Sequence, residues 1–208
     1  MEFNLEQILE SKNLNELRAD ENYVMMTPLI KFTMKNDINS VMQLLKAGAN
    51  PNISDDWGTT PLEIATLRGN AELSRILLLY SANPDTRNYL SRTPLMELVI
   101  HVKKMLESQN IINIINVYNL YMTILQLLLK FGADTYKRDI ENMDILDYNP
   151  PPEIYKLIIR WRAALIIQYN IKAKIFRNRI KKRIEAKKIL MKNTRLPEVI
   201  IQNIKLGI

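Results

Sequence analysis

Thr27-Pro28-Leu29 recurs as Thr60-Pro61-Leu62 and again as Thr93-Pro94-Leu95, the step from 27 to 60 being repeated from 60 to 93. A second string keeps pace with it. Leu44-Leu45-Lys46-Ala47-Gly48-Ala49-Asn50 returns as Leu77-Leu78-Leu79-Tyr80-Ser81-Ala82-Asn83 and then as Leu128-Leu129-Lys130-Phe131-Gly132-Ala133-Asp134. Self-similarity at such a period marks a chain of stacked units, none of which can bury its apolar face alone. Local chemistry says what each unit contains. Thr before Pro supplies a capping hydroxyl, and Pro in the first helical turn gives up an N–H that has no partner there. Gly48 and Gly132 follow leucine-rich runs, where a helix ends in a left-handed residue. Each unit is therefore read as two short helices.

Period, opening triplet and helix-ending string together resemble the ankyrin repeat, over roughly residues 22–148. The resemblance implies an all-α fold, an ankyrin-repeat solenoid of helix-turn-helix units whose loop tips and inner helix faces bind proteins. By register, the variable positions fall on Tyr23, Val24 and Met26; Asp56, Trp57 and Thr59; Leu67 and Arg68; Tyr89, Leu90 and Arg92; Ile140, Glu141 and Met143. Trp57, Tyr89 and Arg92 are residue types that anchor interfaces. The family's usual His after Thr-Pro-Leu is replaced by Ile30, Glu63 and Met96, so its inter-repeat hydrogen bonds are expected to be absent. His101 is expected on a solvent-facing inner position.

The third unit is far longer from Thr93 to Gly132 than the first is from Thr27 to Gly48, so an 18-residue insertion separates its helices around Lys103–Tyr121. Ser108–Leu129 carries no charge and is long enough to span a bilayer. Asn110, Asn113, Asn116 and Asn119 lay an amide stripe along it that hydrocarbon would penalise, so an elongated helical hairpin is expected and no transmembrane segment. The fourth unit is degenerate, with Asn142, Asp144, Ile145 and Leu146 at its opening and Glu153–Arg162 as its second helix. Residues 1–21 are read as an amino-terminal capping helix carrying Phe3, Leu5, Ile8, Leu9, Leu14 and Leu17. Repeats then occupy 22–162 and a basic helical tail 163–208.

Composition narrows the chemistry. With no cysteine, disulfides, thiolate zinc sites and cysteine nucleophiles are excluded. One histidine leaves no imidazole cluster, and none of the five glycines sits in a phosphate-cradling loop. The pair Asp55-Asp56 reads as turn-forming, without the further oxygen ligands of a calcium loop. The chain is therefore read as a non-enzyme with no metal and no cofactor. Its 28 Ile and 21 Asn look like the codon bias of an AT-rich genome, such as a protist, a large DNA virus or a bacterium.

Charge divides the chain. Residues 1–150 carry 14 Lys and Arg against 19 Asp and Glu, whereas 151–208 carry 15 against 3. Such a tail points to an acidic partner, whether protein, nucleic acid or membrane surface. Beyond Pro150-Pro151-Pro152 the sequence reads as one helix to about Met191, with Ile167, Ile171, Ile175, Ile180 and Ile184 interleaved with cations. Within it Ile167-Gln168, Lys172-Ala173, Arg177 and Ile180 resemble an IQ motif. That resemblance implies a calmodulin-type partner, with Ile167 as an anchor, Gln168 bonding a partner loop, Lys172 and Arg177 meeting carboxylates, and Ile180 at the motif's apolar position. Ala173 stands where the motif usually has Gly. Leu196-Pro197 through Ile204 resembles the opening of an F-box-like segment, which would recruit a ubiquitin ligase.

The expected function is that of an intracellular, cytoplasmic adaptor, or a virion component if viral, monomeric outside its complexes. Its repeats bind one protein and its tail a second, acidic one. Two alternatives keep the same fold: a ligase substrate receptor, and a structural protein whose tail contacts nucleic acid.

Overall fold

The computed structural model describes residues 4–11, 13–19, 23–107 and 114–193. Within them the chain is all-α apart from one two-residue strand pair. Helices α2 (Pro28–Met34) and α3 (Ile38–Lys46) form the first unit, and α4 (Pro61–Leu67) and α5 (Ala71–Leu79) the second. Helices α6 (Pro94–Glu107) and α7 (Ile114–Lys130) form the third. The repeated threonines do what the triplet requires. Thr27, Thr60 and Thr93 each accept, through the hydroxyl, the N–H three residues on, at 3.3, 3.4 and 3.4 Å. Asp37 and Asn70 cap α3 and α5 through their side chains. Beyond the second helices Gly48 and Gly132 take φ of +101° and +92°. Ser81 holds the equivalent place in the second unit, also at positive φ, so all three helices end on a left-handed residue.

Unit against unit, the core is a column of leucines. Leu29, Leu62 and Leu95 come from the first helices, and Leu44, Leu77 and Leu128 from the second, all essentially buried. Each such side chain contributes about 1.5–3 kcal/mol on burial, which the two-turn helices need because propensity alone would not hold them. Ile8 and Leu14 close the amino-terminal end. That cap is not one helix. Helix α1 covers only Leu5–Ser11, and β1 (Arg18–Ala19) then pairs antiparallel with β2 (Met25–Met26). Leu17, expected in the core, is 42% exposed, because the chain has already left the helix. Phe3 lies outside the described residues.

The insertion lengthens both helices of the third unit, to 14 and 17 residues against seven and nine in the first. The segment joining them, 108–113, lies outside the described residues. The extended pair is tied down where it begins. The Tyr121 hydroxyl donates to Leu67 O of the second unit at 2.8 Å and lies 2.9 Å from His101 Nε2. His101 is thus half-buried against an aromatic ring and does not face solvent as expected. Burial first, then Lys104, lowers its pKa, with Glu97 opposing.

The fourth unit replaces its first helix with turns over Asp144–Asn149, around buried Ile145. Helix α8 (Pro152–Asn193) follows, and its first turns bury Ile154 and Ile158. The chain divides into two compact units between Ile159 and Arg160, within α8. No helix among the described residues is long and apolar enough to cross a membrane.

Candidate functional site

Between units the chain runs out through a tight turn and back, and the turns are built alike. Asp55 Oδ1 accepts the N–H groups of Trp57 and Thr59 at 2.9 and 2.8 Å. Asn88 Oδ1 accepts those of Leu90 and Arg92 at 3.0 and 3.1 Å, and Asp139 Oδ1 those of Glu141 and Met143 at 2.9 and 3.0 Å. A short side-chain acceptor at the start of the turn thus gathers the backbone two and four residues on, and fixes the tip.

Neighbouring turns are also laced together. Asn83 N donates to Asn52 Oδ1 and Asp134 N to Asp85 Oδ1, at 2.7 and 2.8 Å. At the tips Tyr89 N donates to Trp57 O (3.0 Å) and Ile140 N to Leu90 O (3.2 Å). Asp56, proposed from sequence as a contact residue, spends a carboxylate oxygen on Met25 N at 2.9 Å. Asp55 therefore builds its own turn, whereas Asp56 ties that turn back to β2. Among the described residues no three acidic or imidazole groups converge to hold a metal ion.

On this braced frame stand large side chains facing water. Tyr23, Trp57, Tyr89 and Ile140 are 57–87% exposed. The rings of Trp57 and Tyr89 meet edge to face, with centroids 6.0 Å apart. Glu141 and Arg68 are exposed as well, whereas Leu90 is half-covered.

Arg92 is placed differently. Its guanidinium lies 3.7 Å from Glu97 and 3.5 Å from buried Asp139, donates to the Tyr148 hydroxyl at 3.1 Å, and covers that ring. Tyr148 in turn donates to Asp139. Burial works against the Arg92 charge, but Tyr148, Glu97 and Asp139 outweigh it and hold its pKa above the ordinary value. Burial and the Asp139 carboxylate push the Tyr148 phenol up to about 12. Arg92 is an internal brace between the third and fourth units.

The brace continues inward. Asn88 Nδ2 donates to Glu63 Oε1 of the second unit and to Glu97 Oε1 at 3.0 and 3.1 Å. Glu63, at the family's His position, thus makes the inter-unit hydrogen bond expected to be missing. An acceptor replaces the imidazole, and Asn88 of the next turn supplies the donor. Sequence reading missed Asn88, Asp139 and Tyr148. The signal was present, since Asp55 and Asn88 stand one period apart, and Asn88 and Asp139 one period plus the insertion.

In α8 every tail residue singled out from sequence (Ile167, Gln168, Lys172, Arg177 and Ile180) is exposed. Arg177 Nε donates back to Ala173 O at 3.3 Å. Leu196–Ile204 lies outside the described residues.

A family model of three ankyrin-repeat copies matches residues 4–88 and 29–139. The chain belongs to the ankyrin-repeat family. Among curated relatives, the mouse 2-5A-dependent ribonuclease is 40% identical over 67 residues, covering 32% of this chain and 9% of its own. Putative ankyrin repeat protein L92 of Acanthamoeba polyphaga mimivirus is 49% identical over 49 residues, 24% of this chain and 12% of its own. Putative ankyrin repeat protein FPV014 of Fowlpox virus is 33% identical over 98 residues, 47% of this chain and 18% of its own. The chain thus spans under a fifth of the length of each of these three. Ankyrin repeats mediate protein–protein interaction and are generally non-enzymatic.

Proposed function

We propose that the chain is a non-enzymatic adaptor whose repeat tips hold one protein while its basic tail engages a second, acidic one. The observation that carries the first half is the exposed Trp57–Tyr89 pair on a hydrogen-bonded frame. Aromatic side chains fixed in place and facing water bring contact area at little further entropic cost. Tyr23, Ile140, Glu141 and Arg68 extend that surface. Repeats take residues 22–162 in this reading and the docking tail 163–208, and the protein works in the cytoplasm.

The second half rests on the IQ-like register of Ile167, Gln168, Lys172, Arg177 and Ile180, all open to a partner. A calmodulin-type protein fits such a helix, since its acidic surface meets the cations and its apolar surface the isoleucines. Phosphate binding to nucleic acid would engage the cations and leave the isoleucines in water.

Affinity capture with the whole chain, a Trp57→Ala/Tyr89→Ala variant and residues 1–162, read by mass spectrometry, separates the halves. The adaptor reading expects one protein set lost with the aromatics and a different, acidic one lost with the tail. Identical sets from all three baits would overturn it.

A further inference from the structure

At about 100° per residue, the exposed apolar residues of the tail do not fall on one face. Leu165, Tyr169, Phe176 and Ile180 lie within about 60° of one another around α8, and Ile167, Ile171 and Ile175 within about 80°, the two stripes being centred about 150° apart. Ile166 and Ile184 adjoin the first stripe, about 40° beyond Ile180. Lys172 and Arg179 fill the gap on one side, and Lys174, Arg177 and Lys181 the gap on the other. The seven side chains of the two stripes are 42–74% exposed. Ile180, in register with the isoleucines by sequence, belongs to the aromatic stripe.

A lipid surface uses one apolar face of an interfacial helix, and here the second would stay in water. A single groove meets the same difficulty. Residues 165–181 hold five cations and no acid, so whatever covers them is itself acidic.

We propose that the tail's partner is one acidic protein with two apolar clefts, which close on opposite faces of α8 over residues 165–181. This rests on the docking reading above and adds to it Tyr169 and Phe176, a second anchor stripe opposite Ile167, Ile171 and Ile175. The cations between the stripes meet the rims of both clefts, which fixes the helix in register.

The test titrates the full chain, by calorimetry, with calmodulin as the probe, with and without calcium. Tyr169→Ala/Phe176→Ala and Ile171→Ala/Ile175→Ala variants are compared at equal charge. Alanine favours the helix, and circular dichroism verifies that helicity is kept. The proposal expects one probe per chain and at least a tenfold loss of affinity from either pair. If only one pair weakens binding, the clasp from two sides is overturned while the docking reading stands. If the unaltered chain does not bind the probe in either condition, the docking reading fails and this proposal with it.

Discussion

The Asn88 carboxamide donates to the Glu63 carboxylate of the preceding unit at 3.0 Å, and its own oxygen holds the turn that carries Tyr89. One side chain therefore joins the buried stack to the exposed tip. Through Glu97, Arg92 and Asp139 the same chain of polar groups reaches the fourth unit.

Glu63 gives this link a pH dependence. Burial is the main cause that pushes its carboxyl up to about 7, with the Asn88 bond opposing and Glu97 and Asp55 adding to it. The folded protein keeps a proton that the unfolded chain releases, so stability falls as pH rises from the ordinary carboxylate range to about 7. Glu63→Gln keeps an acceptor for Asn88 and has no proton to lose. In urea unfolding it is expected to be more stable than the native chain by roughly 1–3 kcal/mol at about pH 8, the difference vanishing near about pH 4. Parallel pH profiles for the two proteins would contradict this.

Arg92 is predicted to matter for folding. Arg92→Ala leaves Asp139 buried with Tyr148 and two backbone N–H groups but no cation, at a cost of roughly 2–4 kcal/mol. Arg92→Lys is not expected to restore it, because an ammonium cannot span Tyr148 and two carboxylates as the planar guanidinium does. Denaturation midpoints report the loss. Hydrogen exchange at Glu141 and Met143 N–H should accelerate first.

The repeat was legible in the sequence because its determinants are local. Thr-Pro opens a helix and Gly closes one wherever they stand, and a fixed period then places the leucines. The start of α8 was marked separately, by Pro150-Pro151-Pro152, because proline stops one element and can stand in the first turn of the next. The Glu63–Asn88 and Arg92–Asp139 contacts were not legible as contacts, because each joins side chains of different units. Arg92 has the residue type of an interface anchor, and only its enclosure by Glu97, Asp139 and Tyr148 assigns it inward. His101 was misread for a related reason: the insertion that covers it also moved Tyr121 out of the repeat register. In the tail, a count of isoleucines every four or five residues concealed a shift of face between Ile175 and Ile180.

Tyr121 anchors the inserted hairpin, so Tyr121→Phe tests that anchor alone. It removes the bond to Leu67 O and the contact with His101 Nε2 while leaving the ring on Gly69. Losing a part-buried hydroxyl bond costs about 1–2 kcal/mol. Hydrogen exchange should show faster opening around Tyr121 in the middle of α7, with the first unit unchanged. Uniform destabilisation of both would mean that the hairpin is not a separately anchored element.

Gly58 offers the most direct test of the tips. It adopts φ +76°, and a Cβ there would stand 3.0 Å from Asn88 Cα and 3.1 Å from Tyr89 N. Both are backbone atoms, held by the bond from Tyr89 N to Trp57 O, so nothing flexible can give way. Gly58→Ala adds left-handed strain to that collision and is expected to cost roughly 2–3 kcal/mol. Gly48→Ala is the control, since at φ +101° its Cβ meets nothing within 4 Å, and only the backbone strain of roughly 1–2 kcal/mol remains. A larger loss at Gly58, together with altered Trp57 fluorescence, is the expected outcome. Equal losses at the two glycines would mean that adjacent tips are not tightly apposed, and the rigid aromatic platform would fail with that contact.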